Sequence, residues 1–155
     1  MCLVRRHPCA ASILVAGLVA CAASGAQAQS AIDPDRLTAT QAAYGICAGK
    51  YKSVALVSAA LSRAKARPEL NAFITLDEAG AMKAAHAYDA ARARRAPCKP
   101  LGGVPIAIKD NIEVAGLPAS AGTPALKDYV PAGDAPVAAK LRAATVIAPS
   151  VPSAL

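Results

Sequence analysis

GGVPIAIKDN, residues 102–111, decides how this chain is read. Two glycines release the backbone into a short apolar run, Val104 to Ile108, of the length and composition of a buried strand. The run ends on Lys109, followed by Asp110 and Asn111. A lysine in that place has two readings. A strand often ends where the chain meets water, and an ammonium there needs no function. An amine held among apolar neighbours has its charged form disfavoured, which is how a lysine becomes a base near neutral pH.

Working outward, Leu37 to about Ala48 reads as a helix stopped near Gly49. Ser53 is a suitable N-cap for a second helix, with Val54, Val57, Leu61 and Ala64 at helical spacing up to Arg67 and Pro68. Leu70 to Leu76, LNAFITL, reads as a strand. Asp77 to about Ala96 is an alanine-rich helix with acids at its start and arginines at its end, in agreement with the macrodipole. Residues 113–133 hold Gly116, Pro118, Gly122, Pro124, Pro131 and Gly133 and are loop, and Asp134 opens a last helix to about Ala144. Helix and strand alternate, which predicts an α/β fold with parallel pairing.

The chain has 155 residues, 55% hydrophobic and 17% charged, a globular composition, but only 3% are aromatic and alanine supplies much of the apolar content. The predicted core is therefore shallow. Of the formal charge of +7, Arg5 and Arg6 fall in a leader, leaving 15 basic against 10 acidic residues, a charge of +5. That charge is dispersed and almost no aromatic side chain is present to stack bases, so nucleic acid is not an expected partner.

Residues 1–28 have the layout of a secretory signal peptide: Arg5, Arg6 and His7, an apolar run from Cys9 to Ala23, and Ala26-Gln27-Ala28 before the expected cleavage. The expectation is a secreted or periplasmic protein. Leu18-Val19-Ala20-Cys21 supports an alternative, a lipoprotein tethered to the membrane through Cys21. Cleavage after Ala28 leaves two cysteines, Cys47 and Cys98, in an oxidising compartment. A disulfide is expected, the other reading being two separate buried thiols. His86, alone in the mature chain and mid-helix, is a surface or half-buried residue, and no metal-ligand spacing or cofactor motif is present.

Three ordered segments, LNAFITL, PLGGVPIAIKDNIEVAGLPASAGTPAL and GDAPVAAKLRAA, together resemble the N-terminal portion of the amidase signature family, whose members hydrolyse C–N bonds of amides. The resemblance covers Leu37 to Ala144. It implies an α/β fragment: the helices and first strands of one large domain with a mixed central sheet. By position, Lys109 corresponds to the lysine of the family's Ser–cis-Ser–Lys triad, which implies that it takes a proton, through a bridging serine, from the serine that attacks the carbonyl. Asp110 and Asn111 are read as shaping the turn after the strand, and Gly122 and Thr123 lie in a loop that approaches the family's active site.

After Ala144 the family pattern is expected to lapse. Residues 145–155, TVIAPSVPSAL, read as a divergent tail in which Ser150 and Ser153 have prolines or apolar neighbours and no glycine to present an oxyanion hole. The expectation is a frameshifted or truncated amidase, with residues 29–144 a partial domain that keeps Lys109, lacks both serines and is inactive alone. Two alternatives stand beside it: half of a split amidase completed by a second chain and then acting on a small-molecule amide, and a non-catalytic periplasmic or lipid-tethered binding protein.

Overall fold

A computed structural model describes residues 32–144 and the backbone of residues 146–151; the expected leader, including Cys21, lies outside the described residues. The first helix, α1 (Ala39–Cys47), starts on a capping box. Thr38 Oγ1 accepts from Gln41 N at 3.2 Å, while Gln41 Oε1 accepts from Thr38 N at 2.9 Å, so two amide donors at the helix start are satisfied reciprocally. Helix α2 spans Ser53–Lys65 and α3 spans Glu78–Ala93. Strand β1 (Pro105–Lys109) follows, then α4 (Pro136–Ala144) and β2 (Val146–Val151). Among the described residues no helix is long and apolar enough to cross a membrane.

The cap of α2 is not the one expected from sequence. Ser53 lies inside the helix, and the free amides of Ser53 and Val54 donate to the two carboxyl oxygens of Asp89 on α3, at 2.9 and 3.1 Å. A helix start needs an oxygen, and a carboxyl from a neighbouring helix serves as well as one from the N-cap, contributing about 1 kcal/mol. Ser53 Oγ, buried, instead donates to Gly103 O at 2.7 Å. That bond locks α2 to the turn feeding β1. Gly103 has φ +80, and a Cβ there would lie 2.9 Å from the Tyr88 ring and 3.0 Å from Ser53 Cβ, so only glycine lets the chain pass this close.

The alanines of α3 have a use. Ala81 and Ala85 are fully buried against Val57 and Leu61 of α2, and side chains this small let the two helix backbones approach closely. A second cluster joins α1 to the turn before β1, through Ala42, Ala43, Ile46, Leu56 and Val104. The third lies around β1 and α4, where Ile108, Val114 and Ala138 meet. Among the described residues, three small clusters stand in place of one deep core, which is what a chain rich in alanine and poor in aromatic residues can build.

Two strands form a parallel sheet, with Pro105 opposite Val146 and Lys109 opposite Val151. The register slips between Ala107, paired with Ala148, and Ile108, paired with Ser150. The skipped residue is Pro149, which has no N–H to give to a ladder. The stretch after Ala144 thus pairs as a strand.

One predicted strand is absent. Residues 70–76 contain the end of a 3-10 turn, Pro68–Leu70, a left-handed Asn71 with φ 46, and a single isolated bridge at Thr75. The left-handed residue breaks the extended run. Phe73 and Leu76 then pack towards α2, leaving Leu70 and Ile74 exposed. Strand propensity measures fit to a pleated neighbour, and here the neighbour is a helix.

Cys47, the last residue of α1, is joined to Cys98 with Cα atoms 5.8 Å apart. The Arg92 guanidinium braces both arms, Nη2 donating to Cys47 O at 3.1 Å and Nη1 to Ala96 O.

Candidate active site at the end of strand β1

Lys109 is the last residue of β1, at the carboxyl ends of two parallel strands. In open α/β sheets that edge is where ligands bind. The expectation that apolar neighbours desolvate the amine is not met within the described residues, because Lys109 is exposed. Strand alternation is the reason. Ile108 points into the cluster with Val114 and Ala138, so Lys109 and Ala107 share the opposite face, which the described residues leave open at that end.

Asp110 does more than shape a turn. It is 1% exposed, and its Oδ2 accepts from Ser120 Oγ at 2.7 Å and from Gly122 N at 3.4 Å. Oδ1 is buried and has no partner among the described residues. The turn after Lys109 is closed by the backbone, Ile112 N donating to Lys109 O at 2.9 Å, and Asn111 is exposed. Asp110 thus pins a distant loop beneath the strand end. That loop turns back through Ala121 (φ 51) and Gly122 (φ 70), with Thr123 N donating to Ser120 O at 2.9 Å, and the left-handed alanine is held there at some cost. Thr123 Oγ1 then accepts from Ala125 N at the start of the 3-10 turn Pro124–Leu126. Ser120 was not legible in the sequence; one serine in a long loop carries no signal.

Removing the carboxyl group takes away the acceptor of the Ser120 hydroxyl and leaves a void beneath it, while the Gly122 amide keeps Ser120 Oγ at 3.2 Å. Asp110→Ala is expected to lower stability by about 2–3 kcal/mol. Asp110→Asn keeps an acceptor for Ser120 and is expected to fall within about 1 kcal/mol of wild type. Urea unfolding of the variants checks this, and equal losses for both would show that the hydrogen bond from Ser120 is not what holds the loop.

The far end of the loop is tied by Asp134, which was expected to cap α4. Its carboxyl group instead accepts from Ala115 N at 2.8 Å and from Arg142 Nε and Nη2 at 2.7 and 2.8 Å. The Arg142 guanidinium, helped by the Ala115 amide, pulls the Asp134 pKa down to about 2 from 3.8. A carboxyl with a depressed folded-state pKa contributes stability that is present above the unfolded value and lost as pH falls through the folded one. The loop anchor is therefore expected to hold above pH 4 and release between pH 4 and 2, read as faster exchange of the Ala115 amide; Asp134→Asn should remove that pH step. Beside it, Tyr129 Oη donates to Glu113 Oε1 at 2.7 Å, and this bond to the carboxyl raises the phenol pKa. No group of three His, Cys, Asp or Glu side chains among the described residues is placed to hold a metal, and exposed His86 joins no site.

The sequence pattern of the Amidase family matches residues 55–149, from α2 into β2. This chain belongs to the amidase family. Its curated relatives include a mandelamide hydrolase of Pseudomonas putida, 46% identical over 101 residues, 65% of this chain and 20% of the relative. A glutamyl-tRNA(Gln) amidotransferase subunit of Streptomyces coelicolor is 37% identical over 113 residues, 72% of this chain and 23% of that protein. Among solved structures, a peptide amidase of Stenotrophomonas maltophilia superposes with a TM-score of 0.70 at 32% identity, covering 75% of this chain and 24% of the enzyme. This member of the family spans about a fifth to a quarter of the proteins it matches. The fold is that of the amidase signature enzymes, and the match extends five residues past Ala144, to residue 149.

Proposed function

We propose that this chain is the lysine-bearing part of an exported amidase-family hydrolase that cleaves C–N bonds of small amides. The observation that carries the reading is Lys109 at the carboxyl end of a parallel strand, within the segment matched to the family. Mandelamide hydrolase and peptide amidase, two of the proteins it resembles, are named for amide cleavage.

In this reading the two serines of a Ser–Ser–Lys relay come from sequence beyond the matched segment, either on the same polypeptide or on a second one. Packing of that sequence around the strand end at Lys109 would strip water from the amine and favour its neutral form. The neutral Nζ then receives a proton through the bridging serine as the nucleophilic oxygen bonds to the amide carbon. Returned to the nitrogen of the tetrahedral intermediate, that proton lets the amine leave, and water completes the cycle on the acyl-serine. The Cys47–Cys98 disulfide supports export through the leader at residues 1–28, since such bonds persist in oxidising compartments.

The test is complementation. The 155-residue chain is co-expressed with the Pseudomonas putida mandelamide hydrolase lacking its own matched segment, and mandelamide hydrolysis is measured. Turnover only when both pieces are present supports the proposal. Turnover by the 155-residue chain alone would sink it.

A further inference from the structure

We infer that the pocket between α2, residues 73–76 and β1 takes the aromatic ring of the amide substrate, making arylalkyl amides the preferred class. The inference rests on the hydrolase reading and extends it to the part of the substrate that does not react. The pocket has a volume of about 140 Å³ and is walled by Val57, Leu61, Phe73, Leu76, Ile106 and Ala107. These walls carry no polar side chain, and a cavity of about 150 Å³ with similar walls accommodates one benzene ring.

Its placement ties it to Lys109. Ala107 lines the pocket and lies two residues before Lys109 on the same strand face, about 7 Å along the strand. A ring seated over Ala107 therefore directs a short side arm towards the amine, and the arm of an arylacetamide ends in the amide group. Entry is open. A wider recess of about 560 Å³, with Arg63 and Arg67 in its lining, shares Ala60, Ala64 and Phe73 with the pocket and extends to Leu70. The alanines of α2 keep this passage wide, because longer side chains at 60 and 64 would fill it.

Phe73 is the one phenylalanine of the chain, so biosynthetic 4-fluorophenylalanine places a single fluorine probe on the pocket wall. The full chain is titrated with 2-phenylacetamide and, separately, with acetamide, following the 19F resonance. A saturable shift with phenylacetamide and none with acetamide is expected. Ala107→Ile fills the pocket from the strand and should weaken phenylacetamide by about tenfold or more. Ala60→Leu narrows the same space from α2 and serves where the strand variant unfolds. No saturable shift, or an undiminished one in the folded variants, overturns the inference. Ring binding is read without turnover. A chain that binds the ring but yields no hydrolysis on complementation keeps this site and loses the hydrolase reading. A complemented enzyme that cleaves acetamide as well as phenylacetamide does the reverse.

Discussion

In the complemented enzyme, Lys109→Ala is expected to hydrolyse amides about a thousandfold more slowly or worse, because the relay loses the group that accepts the serine proton. Lys109→Arg is expected to fail to the same degree. A guanidinium keeps the positive charge but does not give up its proton in proteins, so it cannot serve as a base. The pair of variants separates two roles for the amine. If arginine restores turnover, Lys109 acts as a fixed charge and the proton relay is wrong. Steady-state rates for the three complexes, each verified as assembled, decide between them.

Reduction of the Cys47–Cys98 bond is expected to cost about 4 kcal/mol, since the bridge closes a sequence separation of 51 residues and restricts the unfolded chain accordingly. Urea titrations with and without dithiothreitol measure it, and the Cys47→Ser, Cys98→Ser double variant should match the reduced protein. An unchanged midpoint would mean that the three small clusters alone hold the chain. The loss is expected to be felt at the active end as well. Cys98 lies in the segment that Tyr88 and Ser53 guide into β1, so slackening it loosens the strand that presents Lys109.

What the sequence made legible was local. The apolar run and the lysine that ends it match β1 to within one residue, with the Gly-Gly entry just before it, and α3 starts on the acids and ends among the arginines from which it was read. The loop over residues 113–133 also follows from pattern, whereas the parallel partner of β1 is residues 146–151, read from sequence as a tail, and not LNAFITL. What was missed depends on partners far along the chain. Ser53 resembles a cap, yet Asp89 supplies the oxygens from 36 residues away. LNAFITL resembles a strand, yet a left-handed Asn71 and the alanine face of α2 turn it into a lining for the pocket. The exposure of Lys109 was misjudged because apolar neighbours in sequence occupy the other face of a strand, and what covers its own face is not written beside it. The disulfide could be named because only two cysteines, Cys47 and Cys98, lie outside the expected leader at residues 1–28.

The parallel pairing of β1 with β2 also sets an order of assembly. Residues 110–145 separate the two strands, so their ladder closes only after a long excursion, whereas α1, α2, α3 and the bridge involve residues that all precede β1. Contacts of low sequence separation form first, and a chain made or threaded from its N-terminus can complete them while the remainder is still emerging. The helical layer is then a finished template on which the sheet is laid one strand at a time.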